Sequence, residues 1–214
     1  MNSIYIYLPL AYLIGSIPTA VWIGRIFFRT DVREHGSGNA GATNTFRTLG
    51  KGVGAIVLII DILKGFLAVK LPWLGAVIAD LTLPVVPGIH YYELLLGLTA
   101  ALGHIYPVFA GFRGGKGVAT LFGVLIAADP VIALICMGVF IIEFALLRWV
   151  SLGSILASLT FAISFMIIHR PYQFLDNILV CLVPVIIILT HRKNISRLLS
   201  GKEPRLKLGE KKRA

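Results

Sequence analysis

The sequence predicts an all-α polytopic membrane protein with about seven transmembrane helices, and three observations support this fold class. Apolar residues make up 57% of the 214 residues, and charged residues only 14%. The mean hydropathy is +0.87, whereas about a quarter of the residues of a soluble domain are charged. The apolar residues also cluster in stretches close to the ~20 residues that one helix needs to cross a membrane. We therefore expect one integral membrane domain over residues 1–214, with a basic tail from about residue 202.

Seven apolar stretches are the candidate spans, chosen by their length and by the charges that flank them. They cover residues 4–28, 53–71, 91–109, 118–128, 130–147, 151–168 and 174–190. The stretch 118–128 is too short to cross ~30 Å of hydrocarbon as a helix, so it is either a short span or a re-entrant helix beside the next one. Five clear spans with two short helices fit the sequence equally well. Residues 71–90 contain three prolines, and we expect them to form a connector that lies along the outer side of the membrane.

The first stretch, residues 4–28, is expected to be a span and not a removable signal peptide. It has no basic segment before it, it contains Pro9 and Pro18, and no small-residue cleavage site follows it. Cys136 and Cys181 lie inside apolar stretches without a nearby Cys or His partner, which predicts neither a disulfide nor a zinc site.

The formal net charge of +10 predicts how the chain is oriented. Basic residues gather in residues 25–51, at Arg113 and Lys116, and in the tail from His191 onward. Lysine and arginine favour the cytoplasmic side of a membrane, so these segments are expected there, with the N-terminus outside and the C-terminus in the cytoplasm. Nucleic acid is not an expected partner, because the chain leaves no soluble domain that could read a groove.

This topology places three polar, glycine-containing segments on the same inner face, namely residues 35–52, 103–120 and 191–201. The first contains Gly36-Ser37-Gly38-Asn39-Ala40-Gly41, which spells the dinucleotide fingerprint G-x-G-x-x-G. That fingerprint requires a preceding strand and a βαβ unit, and a membrane helix precedes it here. The segment nevertheless suits an anion, because its glycines allow backbone N–H groups to face a phosphate, and a helix beginning near Ala42 adds its N-terminus. Thr43, Asn44 and Arg47 can share one face of that helix.

The second segment places Lys116 among three glycines, Gly114, Gly115 and Gly117. It lacks the spacing and the following Ser or Thr of a P-loop. A lysine between glycines at the start of a helix still suits a phosphate, because the backbone approaches closely and the ammonium supplies charge. A flexible turn whose lysine reaches the membrane interface is the alternative. His104, near the inner end of the preceding span, is either a packing residue or part of the site.

The third segment places His191 and Asn194 on one face of a helix, with Arg197 three residues further. This histidine and asparagine can bind or polarise an oxyanion, whereas a basic tail that touches anionic lipid is the alternative. Within the second span, Asp61 and Lys64 are three residues apart, and we expect them to neutralise each other as a structural pair.

These segments together resemble the bacterial membrane glycerol-3-phosphate acyltransferase family that uses acyl phosphate as its donor. The resemblance is carried by "GSGNAGATN" with Arg47, by "DILKG" at 61–65, by "GHIYPVF" and "FRGGKGVAT" within 103–120, and by "HRKNISRLLSGKE" at 191–203. They occur over most of the chain and in the family's order, so the match is more specific than any single glycine motif.

The resemblance implies transfer of a long acyl chain from acyl phosphate to the 1-hydroxyl of sn-glycerol 3-phosphate, giving lysophosphatidate and phosphate, the first acylation of bacterial phospholipid synthesis. It implies seven helices in the bacterial inner membrane, a site open to the cytoplasm, and no metal or other cofactor. The expected partners are the two substrates, membrane lipids and, as a functional partner, the enzyme that makes acyl phosphate. The family's important residues fall on Ser37, Arg47, Lys116, His191 and Asn194, which are the candidate catalytic residues. The candidate substrate-binding residues are Gly36, Gly38, Asn39, Gly41, Thr43, Asn44, His104, Gly114, Gly115, Gly117 and Arg197.

The residue types also fit this chemistry on their own. Two phosphates must approach each other, and Arg47, Lys116 and the glycine loops can cancel their repulsion. An acyl phosphate is already activated, so we expect a substrate phosphate oxygen to accept the glycerol proton while His191 and Asn194 position the substrates. His191 as the base and Ser37 as an acyl-enzyme nucleophile are the alternatives. A transporter or binding protein for an anionic lipid precursor, and an inert membrane scaffold, are the rival functions.

Overall fold

The structure, a computed structural model, describes residues 4–79, 91–169 and 174–206, and most of these residues are helical. The α-helices, in chain order, are α1 Ile4–Gly15, α2 Thr19–Phe28, α3 Ala42–Thr48, α4 Lys51–Ala79, α5 Tyr91–Ile105, α6 Val118–Ala128, α7 Pro130–Leu146, α8 Val150–Ile168, α9 Phe174–Thr190 and α10 Arg192–Leu199. Single 3₁₀ turns lie at Val32–Glu34 and Val108–Ala110. The predicted all-α class is confirmed.

Several helices are long and apolar enough to cross a membrane. Within the described residues these are the segments Lys51–Ile78, Tyr91–Ala110 and Val150–Ile168. Two bent pairs also qualify when each is counted as one span, α1 with α2 at 41° and α9 with α10 at 63°. The apolar helices α6 and α7 are shorter, which confirms that residues 118–128 form a short helix. The protein is therefore an all-helical membrane protein with three to five such spans, while seven spans and the orientation of the termini remain predictions.

One predicted span contains a break, and one predicted boundary is wrong. The first span is not one helix, because residues 16–18 break it just before Thr19, where Pro18 cannot donate a backbone hydrogen bond. The carbonyl of Ile17 that this break frees accepts a hydrogen bond from Lys64 Nζ at 3.0 Å. The second span does not end near residue 71, because α4 continues through Pro72 to Ala79. The expected connector is therefore helical over residues 71–79, and its remainder lies outside the described residues.

Glycines allow neighbouring helices to approach each other closely. A Cβ on Gly65 of α4 would overlap the backbone of Thr120 in α6, and a Cβ on Gly15 of α1 would overlap the backbone of Ala100 in α5. Such small residues are the usual helix contact in membranes, where apolar burial alone does not drive association. The larger apolar side chains fill the space between α5, α6, α8 and α9, and the largest buried cluster includes Leu94, Leu98, Leu121, Phe161, Phe165, Val180, Val183 and Ile187.

A buried charge cluster ties α4 to the break between α1 and α2. Asp61 Oδ1 lies 2.8 Å from Lys64 Nζ and accepts a hydrogen bond from Thr19 Oγ1 at 3.1 Å. Both charged side chains are buried. The predicted Asp61–Lys64 pair is confirmed, and its link to Ile17 shows how the broken span keeps its polar backbone satisfied.

Candidate active site

A cavity of about 370 Å³ brings the three polar segments together. Its polar end is formed by candidate residues from all three, namely Ser37, Asn39, Gly41, Thr43, Asn44, Arg47, His104, Lys116, Gly117, His191 and Asn194. The rest of its wall is apolar and is lined by side chains of α6, α7, α8 and α9, including Phe122, Leu125, Met137, Phe140, Phe144, Phe161 and Val183. One space therefore joins cations to an apolar channel.

Asn44 holds the first segment in shape. Its Oδ1 accepts hydrogen bonds from the Ser37 backbone N–H at 2.7 Å and from Ser37 Oγ at 3.1 Å. Its Nδ2 donates to the carbonyl oxygens of Val32 at 2.7 Å and His35 at 3.0 Å. The loop wraps tightly here, because Gly36 has a φ of +62° and a Cβ on it would collide with Asn44 Oδ1. Asn44 thus supports Ser37 from inside the protein.

Arg47 follows Asn44 on α3 and supplies a cation to the cavity. Its guanidinium donates a long hydrogen bond of 3.4 Å to the Pro204 carbonyl. Burial lowers the pKa of Arg47, and the nearby Arg197 lowers it further while Glu203 opposes this. An arginine is always charged in proteins, so the lowered pKa indicates a cation that gains stability from a bound anion.

The glycine loop before α6 rests on His104. The N–H groups of Gly114 and Gly115 donate, each at 3.1 Å, to the carbonyls of Ile105 and His104. A Cβ on Gly115 would collide with His104 Nε2. On the other side of the ring, His104 Nδ1 lies 3.6 Å from Asp61 Oδ1. His104 is therefore a buried support that joins the charge cluster of α4 to the loop that carries Lys116.

The backbone N–H groups of these glycine loops are less free than the sequence indicates. The N–H of Ser37 donates to Asn44, and the N–H of Gly38 donates to the His35 carbonyl at 3.1 Å. The N–H groups of Gly114 and Gly115 are likewise used within the chain. These four N–H groups therefore have partners within the chain, and phosphate binding by the remaining N–H groups of the loops stays a prediction.

Lys116 reaches across the cavity to the third segment. Its Nζ donates a hydrogen bond to Asn194 Oδ1. Burial lowers the pKa of Lys116 from 10.5 to about 8; the Glu203 carboxylate opposes this, while Arg197 and Arg47 lower it further. The ammonium is thus poised to accept a compensating anion.

Glu203 orients the third segment. Its Oε1 accepts hydrogen bonds from Asn194 Nδ2 at 2.6 Å and Ser151 Oγ at 2.7 Å, and its Oε2 accepts from Arg197 Nε at 2.7 Å. Burial raises the pKa of Glu203, but the hydrogen bonds from Arg197, Asn194 and Ser151 hold it below the usual range. The carboxylate fixes which way the Asn194 amide points, so that its oxygen faces Lys116.

His191 lines the cavity at the break between α9 and α10. Its Nδ1 lies 2.8 Å from the Ile187 carbonyl oxygen. Because a carbonyl oxygen only accepts hydrogen bonds, Nδ1 carries the proton, and Nε2 of the neutral ring is the acceptor. The side chain is 2% exposed.

Known proteins are similar to this chain in sequence and in fold. A family model described as glycerol-3-phosphate acyltransferase matches residues 5–201. The glycerol-3-phosphate acyltransferase of Listeria monocytogenes serovar 1/2a is 42% identical over 92% of this chain and 94% of that protein. Glycerol-3-phosphate acyltransferase 2 of Bacillus cereus is 43% identical over 100% of each chain. The chain belongs to the glycerol-3-phosphate acyltransferase family.

Two crystal structures of a family member have the same fold. Both are of PlsY (YgiH), described as an integral membrane glycerol 3-phosphate acyltransferase. The glycerol 3-phosphate form is 38% identical, with a TM-score of 0.83 over 96% of each chain. The lysophosphatidic acid form is 37% identical, with a TM-score of 0.79 over 97% of each chain.

In this acyltransferase, five of the predicted binding residues do not line the cavity. They are Gly36, Gly38, Gly114, Gly115 and Arg197. The glycines shape the loops, and Arg197 holds Glu203. The five candidate catalytic residues all line the cavity, and their catalytic roles stay predictions. Within the described ranges, no three His, Cys, Asp or Glu side chains are grouped as metal ligands, and the absence of a cofactor stays a prediction.

Sequence reasoning missed three residues that shape the site. Glu203 and Ser151 line the cavity and hold Asn194. Arg33 joins two loops, since its Nη1 donates to the carbonyls of Ala110 at 2.7 Å and Arg113 at 3.1 Å. The Asp31 carboxylate holds Arg33 at 2.8 Å. The sequence signals were an acid at the start of the basic tail and the Asp31-x-Arg33 pair.

Proposed function

We propose that this acyltransferase moves an acyl group from acyl phosphate to the 1-hydroxyl of glycerol 3-phosphate, giving lysophosphatidate and phosphate. The observation that carries the proposal is one cavity whose polar end holds Arg47 and Lys116 and whose other end is an apolar channel. Acylation of glycerol 3-phosphate follows from the family, and the titles of the solved relatives name glycerol 3-phosphate and lysophosphatidic acid. The acyl-phosphate donor is our proposal.

The charge of the cavity supports a donor that carries its own phosphate. A cavity for two phosphates must cancel their repulsion, and charge-assisted hydrogen bonds from Arg47 and Lys116 supply two cations there. The lowered pKa values of both side chains indicate that burial leaves these cations short of compensating charge. The acyl chain would occupy the apolar channel beside them.

We propose a direct transfer. The glycerol hydroxyl oxygen forms the ester bond with the acyl carbon, and the bond from that carbon to the phosphate oxygen breaks. The hydroxyl proton passes to a substrate phosphate oxygen, and inorganic phosphate leaves. Arg47 and Lys116 stabilise the charge on the departing phosphate, while His191 and Asn194 position the reacting groups.

His191 is a positioning group in this proposal, and a substitution tests it. If His191→Gln keeps near-normal turnover at saturating substrates, His191 is not the base. A loss of several orders of magnitude in kcat, with little change in KM, would contradict the assisted transfer.

The hydrogen bond of Ser37 supports a role in substrate binding and not in covalent catalysis. An activated serine needs a base within hydrogen-bond reach, and Ser37 Oγ donates to an amide oxygen of Asn44, which does not take up a proton. An acyl-enzyme would exchange labelled inorganic phosphate into acyl phosphate without glycerol 3-phosphate. Direct transfer predicts no exchange, and exchange that disappears in Ser37→Ala would establish the covalent route.

The donor is tested with purified protein in detergent. Parallel reactions contain glycerol 3-phosphate and either palmitoyl phosphate or palmitoyl-CoA, and lysophosphatidate is measured by mass spectrometry. We expect product from palmitoyl phosphate only. Product from palmitoyl-CoA alone would overturn the proposal that acyl phosphate is the donor. Binding of glycerol 3-phosphate without product from either donor would favour a binding protein or transporter.

We also propose that the cavity opens to the cytoplasm of a bacterial inner membrane. Exposed basic residues, among them Arg113, Arg192 and Lys193, surround the polar end, and such residues favour the cytoplasmic side. A Lys193→Cys variant should react with a membrane-impermeant thiol reagent in inside-out vesicles and stay unlabelled in right-side-out vesicles. The reverse pattern would overturn this orientation.

A further inference from the structure

The apolar channel follows one face of α8. The residues of α8 that line it are 150, 151, 154, 157, 158 and 161, which is the spacing of a single helix face. From Ser151 to Ser158 the channel-lining side chains are small, and Phe161 is the first large one. This face of α8 therefore carries small side chains near the polar end and a large ring at Phe161.

The serines of this face do not make the channel polar. Ser151 Oγ donates to Glu203 at 2.7 Å, at the polar end. Ser154 Oγ donates to the Val150 carbonyl at 2.7 Å, and Ser158 Oγ donates to the Ile155 carbonyl at 2.8 Å. Because these hydroxyls bond back to their own helix, the wall along this face suits an alkyl chain.

Four side chains form a wall that the channel shares with a second, smaller cavity. Leu121 and Leu125 of α6, Phe161 of α8 and Val183 of α9 line the channel, and the same four line a second cavity of about 10 Å³ beyond it. The second cavity is otherwise lined by Leu94, Leu98 and Val124. Leu125, Phe161 and Val183 are also the lining residues of their helices that lie farthest along the chain from the polar end, so this shared wall, here called the floor, lies at the deep end of the channel. Phe161, at 1% exposure, is the largest of them.

The position of the floor gives the depth of the channel. Ten residues separate Ser151, beside Glu203, from Phe161, which corresponds to about 15 Å along α8 at the usual helical rise. An acyl chain that reacts at the polar end and follows this face of α8 reaches the floor after about that distance. Close-packed floor residues resist a longer chain, because overpacking a buried layer forces side chains out of their preferred rotamers.

We propose that Phe161 ends the acyl-chain channel and sets the longest acyl group that the enzyme uses efficiently. This inference rests on the proposed acyl transfer. Removing the ring joins the vacated space to the second cavity, which makes room for several methylene groups. Each newly buried methylene raises the binding affinity for the longer chain about fourfold, since burial of one methylene is worth ~0.8 kcal/mol.

The experiment measures kcat/KM for a series of saturated acyl phosphates of increasing chain length. We expect Phe161→Ala to move the preferred chain about two or more carbons longer, with at least a tenfold rise in the ratio of kcat/KM for long over short chains. The reciprocal variant, Ala157→Leu, narrows the channel above the floor and should shift the preference to shorter chains. It keeps the inference testable if Phe161→Ala does not fold.

Phe165→Ala is the matched control. Phe165 lies one turn further along α8, is 2% exposed, and packs against Phe161 with ring centroids 6.0 Å apart. It lines neither cavity, so this variant tests the effect of a lost core phenylalanine without opening the floor. Its chain-length profile should match that of the wild type.

The outcomes separate the inference from the proposed function. If the wild type uses no acyl phosphate of any length, the proposed donor is wrong. If the wild type is active, and Phe161→Ala and Ala157→Leu both keep its chain-length profile, the floor does not set chain length. An equal shift in Phe161→Ala and Phe165→Ala would also overturn the inference, because general loosening of the core would explain both.

Discussion

The contact between the glycine loop and His104 predicts that Gly115→Ala is severely impaired. The added Cβ would collide with His104 Nε2. The ring has little room to retreat, because Asp61 lies 3.6 Å from its other nitrogen and is itself held by Lys64. The loop must therefore move, and it carries Lys116.

Two magnitudes follow from this collision. Overpacking a buried contact costs about 1–3 kcal/mol of stability. If Lys116 binds substrate as proposed, its displacement by ~1 Å is expected to lower the rate about 10²-fold. The larger effect should therefore appear in kcat/KM, and a smaller one in the melting temperature measured in detergent. Both are measured on purified protein with palmitoyl phosphate and glycerol 3-phosphate.

Gly52→Ala is the matched control, because a Cβ on Gly52 meets nothing within 4 Å. It lies in the first turn of α4, where alanine is the better helix former, so the variant should be as active and at least as stable as the wild type. Combining Gly115→Ala with His104→Ala should cost less than the sum of the two single changes, since the clash is then gone. Wild-type activity of Gly115→Ala, or strict additivity in the double variant, would refute the reasoning.

Three further predictions follow from the polar end of the cavity. Because the pKa of Lys116 is about 8, its positive charge is lost as the pH rises through that value, and kcat/KM should fall above pH 8. Lys116→Arg should move this fall to higher pH. An unchanged pH profile in that variant would contradict the role of the charge. Glu203→Gln removes the carboxylate that fixes Asn194, so we expect a loss of about 1.5–3 kcal/mol in unfolding experiments, and an unchanged melting temperature would count against it. Arg33→Met frees the loop of Ala110, and we expect kcat/KM to fall roughly tenfold or more in steady-state assays; equal activity would show that this clamp does not position the site.

The sequence predicted the helical membrane class because apolar length and low charge are local properties of the chain. It predicted less well the break between α1 and α2 and the point where α4 ends. Pro18 marks the break before Thr19, but the contact that stabilises it comes from Lys64, which is distant in sequence and donates to the Ile17 carbonyl along with the Thr19 N–H. The continuation of α4 through Pro72 loses one backbone hydrogen bond, a local cost that packing against α1 can offset. Gly75 of α4 packs directly against Tyr7 there.

The site was predicted in outline, since the glycine-rich and basic segments are visible as interruptions of the apolar pattern. What the sequence could not reveal is which polar atoms are already used within the protein. Asn44 is a residue type that often binds ligands, but its amide group forms hydrogen bonds with Ser37 and with two backbone carbonyls. Glu203 looks like a solvated charge in a basic tail, yet it is buried among three hydrogen-bond donors. Both facts depend on long-range contacts.

The central claim is that acyl phosphate and glycerol 3-phosphate react with each other in this cavity. The most direct measurement follows inorganic phosphate and lysophosphatidate together in one time course with purified wild-type protein, after subtraction of spontaneous acyl phosphate hydrolysis. We predict that the two products appear in equal amounts and that neither appears when one substrate is left out. Enzyme-dependent phosphate release without glycerol 3-phosphate, or no lysophosphatidate with both substrates present, would contradict the account.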